Sequence, residues 1–90
     1  MEFVKRLSPS EAKYKYLGLD KKTIEELPEK YQIFKLKFKN KIYDMKVNSK
    51  NCIMLTPLYH EYEFQPEDQV KITKKKDDSF ELTVNSVSSM

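Results

Sequence analysis

Phe34-Lys35-Leu36-Lys37-Phe38 alternates apolar and basic residues without a break. A period of two belongs to a β-strand with one buried face, so the apolar side chains point inward and the lysines outward. Tyr43, Met45 and Val47 alternate in the same way with Asp44 and Lys46. Lys39-Asn40-Lys41 joins the two runs, and Asn40 is expected to centre a tight hairpin turn. Any fold for this chain has to accommodate that hairpin with one face against a core.

Similar short alternations recur along the 90 residues. Glu2 to Leu7 reads as a first strand with Phe3 or Val4 inward, broken at Ser8-Pro9-Ser10. Lys13 to Leu17 alternates like a half-buried strand, and Gly18, the only glycine, is expected to supply a positive-φ turn. Asp20 is placed to cap a helix through about Leu27, with Thr23, Ile24 and Leu27 on its apolar edge. Glu25 and Glu26 then fall in its first turns, and Pro28 ends it. Cys52 to Leu55 forms a short apolar strand, and Thr56-Pro57 opens a second helical segment with Leu58 and Tyr62 on one face. Gln65 to Asp68 forms a turn, Val70 and Ile72 a strand, Lys74 to Asp78 a charged loop, and Phe80, Leu82 and Val84 a last strand. Six or seven short strands with two short helices predict a small, mainly β barrel rather than a parallel α/β sheet. Residues 1–84 form one domain in this reading, followed by a Ser-rich tail from Asn85 that is expected to fray.

Composition bounds the remaining possibilities. Hydrophobic residues make up 39% and charged residues 34%, so the core must come from alternation and not from long apolar runs. No stretch approaches the roughly 18 apolar residues of a membrane span, and the first residues lack the apolar core of a secretory signal. One cysteine excludes a disulfide within the chain; Cys52 is expected as a buried thiol in a reducing, intracellular setting. Single His60 and Cys52 leave no ligand set for zinc, and the chain carries no phosphate-binding or dinucleotide fingerprint. Asp77, Asp78 and Glu81 fit a hairpin turn and a strand exterior rather than a nuclease cluster. The expectation is a non-enzyme without metal or cofactor.

The net charge of +3 is mild, but its distribution is uneven. Residues 35–50 hold six lysines against Asp44 alone, while Glu25, Glu26, Glu29, Glu61, Glu63, Glu67 and Asp68 gather elsewhere. Such a stripe is the footprint of a nucleic-acid binder, or else a solvated strand face. For Lys35, Lys37 and Lys39, protection of an outer strand against edge pairing is the favoured role. Most of the aromatic residues lie at inward phases, with Tyr14 and Tyr59 the least determined. Asn48-Ser49-Lys50-Asn51 separates two apolar strands; it is an ordinary polar turn by composition, and also has the chemistry to meet phosphates and base edges.

The order of these elements resembles the DNA-binding pseudobarrel family, whose members include plant B-three domains and the effector-binding N-terminal domains of EcoRII-type restriction endonucleases. FVKRLSPSEA is similar to the family's first strand, LDKKTIEELP to its first helix, and IYDMKV to its fourth strand. LYHEYEFQPED is similar to the second helix and the following L-x-x-G-D turn, and Phe80 to Val84 to the final strand. Glu67 replaces the family's usual glycine, and Tyr43 its frequent tryptophan. The resemblance implies a seven-stranded open pseudobarrel with two short helices, binding double-stranded DNA in the major groove through two arms, as a monomer. Carried over by position, the first arm is Ser8, Ser10, Lys13, Tyr14 and Lys15, flanked by Lys5 and Arg6. The second is Asn48, Ser49, Lys50 and Asn51.

Val47 to Ile72 also resembles AbrB-type swapped-hairpin transcription factors, which are obligate DNA-binding dimers. That match covers about a third of the chain and leaves the first forty residues without a role. A protein-interaction barrel with a solvated basic face and a single-strand binder of OB type are the further alternatives.

Overall fold

A computed structural model describes residues 2–86. Seven strands and two α-helices follow the order β1 (Glu2–Arg6), α1 (Pro9–Tyr14), β2 (Tyr16–Gly18), α2 (Lys21–Glu26), β3 (Phe34–Phe38), β4 (Lys41–Met45), β5 (Cys52–Met54), a 3-10 turn (Thr56–His60), β6 (Gln69–Lys74) and β7 (Phe80–Asn85). The strands make a five-stranded sheet, ordered β1-β6-β7-β3-β4, and a two-stranded ribbon of β2 and β5. A bridge between Val47 and Ile53 carries the sheet past β4 into the ribbon. The result is the mainly β open pseudobarrel expected from the element order.

The inward faces meet in a single core. Leu36, Phe38, Val70, Ile72, Phe80 and Leu82 from the sheet pack against Leu17, Ile53, Leu55 and Leu58 from the ribbon side, all nearly inaccessible to water. The predicted hairpin is present, with Phe34 opposite Met45 and Phe38 opposite Lys41. Lys39 and Asn40 both have positive φ, at 49° and 68°, which is the backbone of a two-residue turn matched to strand twist.

Four sequence expectations change. Lys13 and Tyr14 belong to α1 and not to a strand, because Ser8 closes a capping box with Glu11 and Pro9 opens the helix. Glu25 and Glu26 end the six-residue α2 rather than begin it, so they do not meet the favourable end of its dipole. Strand β3 lies between β7 and β4, so its lysines protect no edge; Lys35 pairs with Asp44 on the neighbouring strand. Gly18 does not have a positive φ. It lies within β2, where an added Cβ would approach Lys5 Nζ to 3.2 Å and Glu11 Oε2 to 3.3 Å. The Ser-rich tail beyond Ser86 lies outside the described residues, and Asn85 closes β7.

The role of Gly18 is tied to the barrel's seam. Strands β1 and β2 are the ends of the sheet and the ribbon and do not pair with each other. Side chains span the gap. Glu11 is buried, at 2% exposure. Its Oε1 accepts from the Ser8 amide at 2.9 Å, and its Oε2 accepts from the Gly18 amide at 2.7 Å. Lys5, on β1, pairs with the same Oε2 at 2.7 Å and donates to the Gly18 carbonyl at 3.1 Å. Burial is the largest single influence on the Glu11 carboxyl and acts to raise its pKa. The Lys5 hydrogen bond, the Ser8 and Gly18 amides and the Lys5 charge together outweigh it, so the group titrates below its ordinary value.

A second clasp fixes the start of β6. Glu67 adopts φ 73°, the left-handed conformation that glycine usually supplies. Its amide donates to the Leu7 carbonyl at 2.8 Å, and the Leu7 amide donates to the Asp68 carbonyl at 2.9 Å. Buried Asp68 accepts from the Tyr62 hydroxyl at 2.7 Å and the Gln65 amide at 2.9 Å through Oδ2. Burial first, and the Asp68 bond second, push the Tyr62 pKa up.

Glu11→Gln is therefore expected to lower stability at pH 7 by about 2 kcal/mol, the scale of weakening one partner of a mostly buried pair. Because the folded carboxyl titrates low, its contribution is present above the unfolded carboxyl value and lost as pH falls through the folded one. Urea denaturation from pH 7 to pH 3 should show a shallower loss in the variant; parallel curves would contradict the seam assignment. Glu67→Gly is expected to stabilise the fold by about 0.5–1 kcal/mol, since relief of left-handed strain exceeds the entropy lost from a freer unfolded chain. A loss of stability in the same denaturation would contradict it.

Candidate nucleic-acid interface

The two predicted arms rise from opposite ends of one ribbon. In the ribbon, Tyr16 stands opposite Met54, Leu17 opposite Ile53, and Gly18 opposite Cys52. Backbone bonds extend this pairing at both ends: the Leu55 amide donates to the Lys15 carbonyl at 2.8 Å, and the Leu19 amide to the Asn51 carbonyl at 3.1 Å. Helix α1 thus enters the ribbon beside the end of β5. The Asn48–Asn51 loop enters beside the end of β2.

Leu17 and Ile53 are buried, so Tyr16, Cys52 and Met54 face outward by alternation. They form the floor of a groove of about 530 Å³ whose rim is Tyr14 from the first arm and Asn48, Ser49 and Lys50 from the second. Tyr14 is 61% exposed and Met54 43%. Sequence reasoning missed the floor, although the phase of Leu17 and Ile53 carried the signal for it.

The second arm is held by its own side chain. Asn48 Oδ1 accepts from the backbone amides of Lys50 at 2.9 Å and Cys52 at 3.0 Å, and the Asn48 amide donates to the Cys52 carbonyl. Both lone pairs of that oxygen are taken, so Asn48 cannot make a bidentate contact to adenine and offers its amide nitrogen only. Asn51 takes φ 61° to close the loop and has its Oδ1 buried. Ser49 and Lys50 are exposed at the tip.

The first arm is brought only partly to the groove. Tyr14 reaches it, while Lys13 and Lys15 line a separate hollow of about 490 Å³ on the other flank of α1, with Tyr59, Glu63 and Pro66. Lys15 ends the helix at φ 60° and lies over the Tyr59 ring, 5.2 Å from its centre. Tyr59 is half-buried, its hydroxyl donating to the Ala12 carbonyl at 3.1 Å. Burial, then the charges of Glu63 and Asp68, raise its pKa. Lys13 lies 5.3 Å from the Tyr14 ring centre, and Ser10 is exposed on α1.

Three predicted contacts have structural work instead. Lys5 is committed to the seam. Ser8 Oγ accepts from the Glu11 amide at 3.2 Å as the helix cap. The Arg6 guanidinium lies against the Glu67 carbonyl at 3.4 Å, at the clasp, and remains exposed. Among the described residues, the ion pairs use Lys5, Lys35, Lys41, Lys71, Lys74 and Lys75. Lys13, Lys15 and Lys50 have no acidic partner there.

Cys52 is half-buried on the groove floor rather than buried in the core. Partial burial, followed by the nearby Glu11 charge, raises its thiol pKa, which favours the neutral form at pH 7. His60 and Tyr31 are exposed. Among the described residues no group of three or more His, Cys, Asp and Glu side chains is placed to hold a metal ion, and no helix is long and apolar enough to cross a membrane.

No protein-family model and no curated protein matches the chain. Among solved structures it is similar to the N-terminal domain of Helicobacter pylori LlaJI.R1, with a TM-score of 0.74 at 8% identity over 98% of this chain and 89% of that one. It is also similar to a hypothetical Arabidopsis thaliana protein, with a TM-score of 0.66 at 12% identity over 96% and 90% of the two chains. At such identities the likeness is one of fold, and it supports the open pseudobarrel over the swapped hairpin.

Proposed function

We propose that this chain binds double-stranded DNA without catalysis, as a monomer, by seating its β2–β5 ribbon in the major groove. The carrying observation is that α1 and the Asn48–Asn51 loop flank the same groove from opposite ends of that ribbon. The major groove is about 12 Å wide and admits a two-stranded ribbon. Tyr14, Ser49 and Lys50 are exposed where base edges and phosphates would lie. Lys13 and Lys15, without acidic partners among the described residues, lie at the end of the helix and suit the sugar-phosphate backbone. The resemblance of the element order to the DNA-binding pseudobarrels supports the same reading.

Among the arm residues, Ser10, Lys13, Tyr14, Lys15, Ser49 and Lys50 are the proposed contacts. Asn48 contributes a donor and otherwise shapes the loop. Lys5, Ser8 and Asn51 hold the arms in place, and Arg6 braces the clasp. The groove also favours one second reading, since Tyr14 and Tyr16 could stack the bases of a single strand.

Three neutralised phosphates give a log–log salt slope of about −2.7, which is roughly a forty-fold loss of affinity between 50 and 200 mM salt. Fluorescence anisotropy with a labelled random duplex should show that loss, and Lys50→Ala should reduce the slope by about 0.9. Preference for single-stranded over duplex competitor would replace the duplex reading. Folded protein that binds no duplex at about 50 mM salt would overturn it in favour of an interaction barrel.

A further inference from the structure

The outward face of the ribbon is more apolar than most of the outward face of the five-stranded sheet. On the sheet, Lys35, Lys37, Lys71, Glu81 and Thr83 face away from the core. On the ribbon the corresponding outward positions are Tyr16, Cys52 and Met54. Here the apolar surface lies between the two arms, under a polar rim. Alternation alone would place polar residues there, as it mostly does on the sheet, where Val4 and Ile42 are the apolar exceptions.

The rim is biased toward donors. Asn48 Oδ1 is saturated by two backbone amides, which fixes the orientation of its amide and leaves the NH₂ to face a ligand. Lys50 adds an ammonium with three donors and no acceptor, and Ser49 adds a hydroxyl that serves either way. The buried Asn51 Oδ1 is withdrawn from the surface. A partner that fits this site presents an acceptor beside an apolar group.

We infer that the groove reads thymine, with the C5-methyl group against Met54 and Tyr16 and the O4 acceptor toward Asn48 Nδ2. This rests on the duplex-binding proposal and adds a base identity to it. In the major groove the thymine edge pairs an acceptor with a methyl group. 5-Methylcytosine offers the same methyl group beside an N4 amino donor, which would oppose the donors of the rim. Uracil offers the O4 acceptor alone. The floor separates thymine from uracil, and the rim separates thymine from 5-methylcytosine.

The experiment uses the full chain. A preferred duplex is selected from a randomised pool, and each thymine is replaced singly by uracil, which removes only the methyl group. At one thymine or more, uracil is expected to weaken binding about fourfold, the effect of one lost buried methyl group. A T·A pair changed there to 5-methylcytosine·G is expected to weaken it further. Met54→Ser, at an exposed position, should keep its fold by circular dichroism and bind thymine and uracil duplexes equally. Uracil duplexes that bind as tightly as thymine duplexes throughout would overturn the inference and leave duplex binding standing. The same holds if Met54→Ser retains the full thymine preference. Absence of binding to any duplex would overturn both.

Discussion

The buried carboxylate of Glu11 is the constraint on which the open side of this barrel depends. A closed barrel joins its first and last strands by a ladder of backbone bonds. Here β1 and β2 lack that ladder, and the Glu11 carboxylate joins Lys5 of β1, the Ser8 cap of α1 and the Gly18 amide of β2. The arrangement packs closely over Gly18, where an added Cβ would crowd Lys5 Nζ and Glu11 Oε2. A charge this deep is stable because each oxygen accepts from a donor and the Lys5 ammonium lies beside it. The same contacts fix where α1 begins and hold the last residue of β2, so the seam and the first arm share one anchor.

This economy explains why much of the polar chemistry near the arms is turned inward. Ser8, Lys5 and the Asn48 oxygen are used to fix backbone geometry, which leaves Tyr14, Ser49, Lys50 and the Asn48 amide nitrogen to face a partner. Ordering the loop in advance lowers the entropy cost of binding. The cost of the choice is chemical range: an arm whose carboxamide oxygens are withdrawn presents few acceptors. That asymmetry, together with the apolar ribbon floor, is what the proposed thymine preference rests on, and the lysine count alone does not suggest it.

The strands were legible because period-two alternation is strong in Phe34 to Phe38, Tyr43 to Val47 and Phe80 to Val84. Helix α1 was not, since Lys13-Tyr14-Lys15-Tyr16-Leu17 imitates a strand and the deciding signal lies upstream, in Ser8-Pro9-Ser10-Glu11. Strand order was hidden as well: β3 looks like an edge from its lysines, and only its parallel pairing with β7 makes it internal. Both arms were placed from element order, yet their side chains divide between structure and surface for reasons that local sequence does not carry. Lys5 and Lys50 are the same residue type. One is committed to a buried carboxylate eleven residues into the chain, and the other is exposed at a loop tip.

The most direct test is amide chemical-shift mapping by nuclear magnetic resonance while duplex DNA is titrated into the labelled protein. Duplex seated on the ribbon predicts the largest changes at Tyr14 to Gly18 and Asn48 to Met54, with Lys35, Lys37 and Lys71 on the outer sheet little affected. Changes concentrated on the outer sheet, with the ribbon and its two arms silent, would contradict the account.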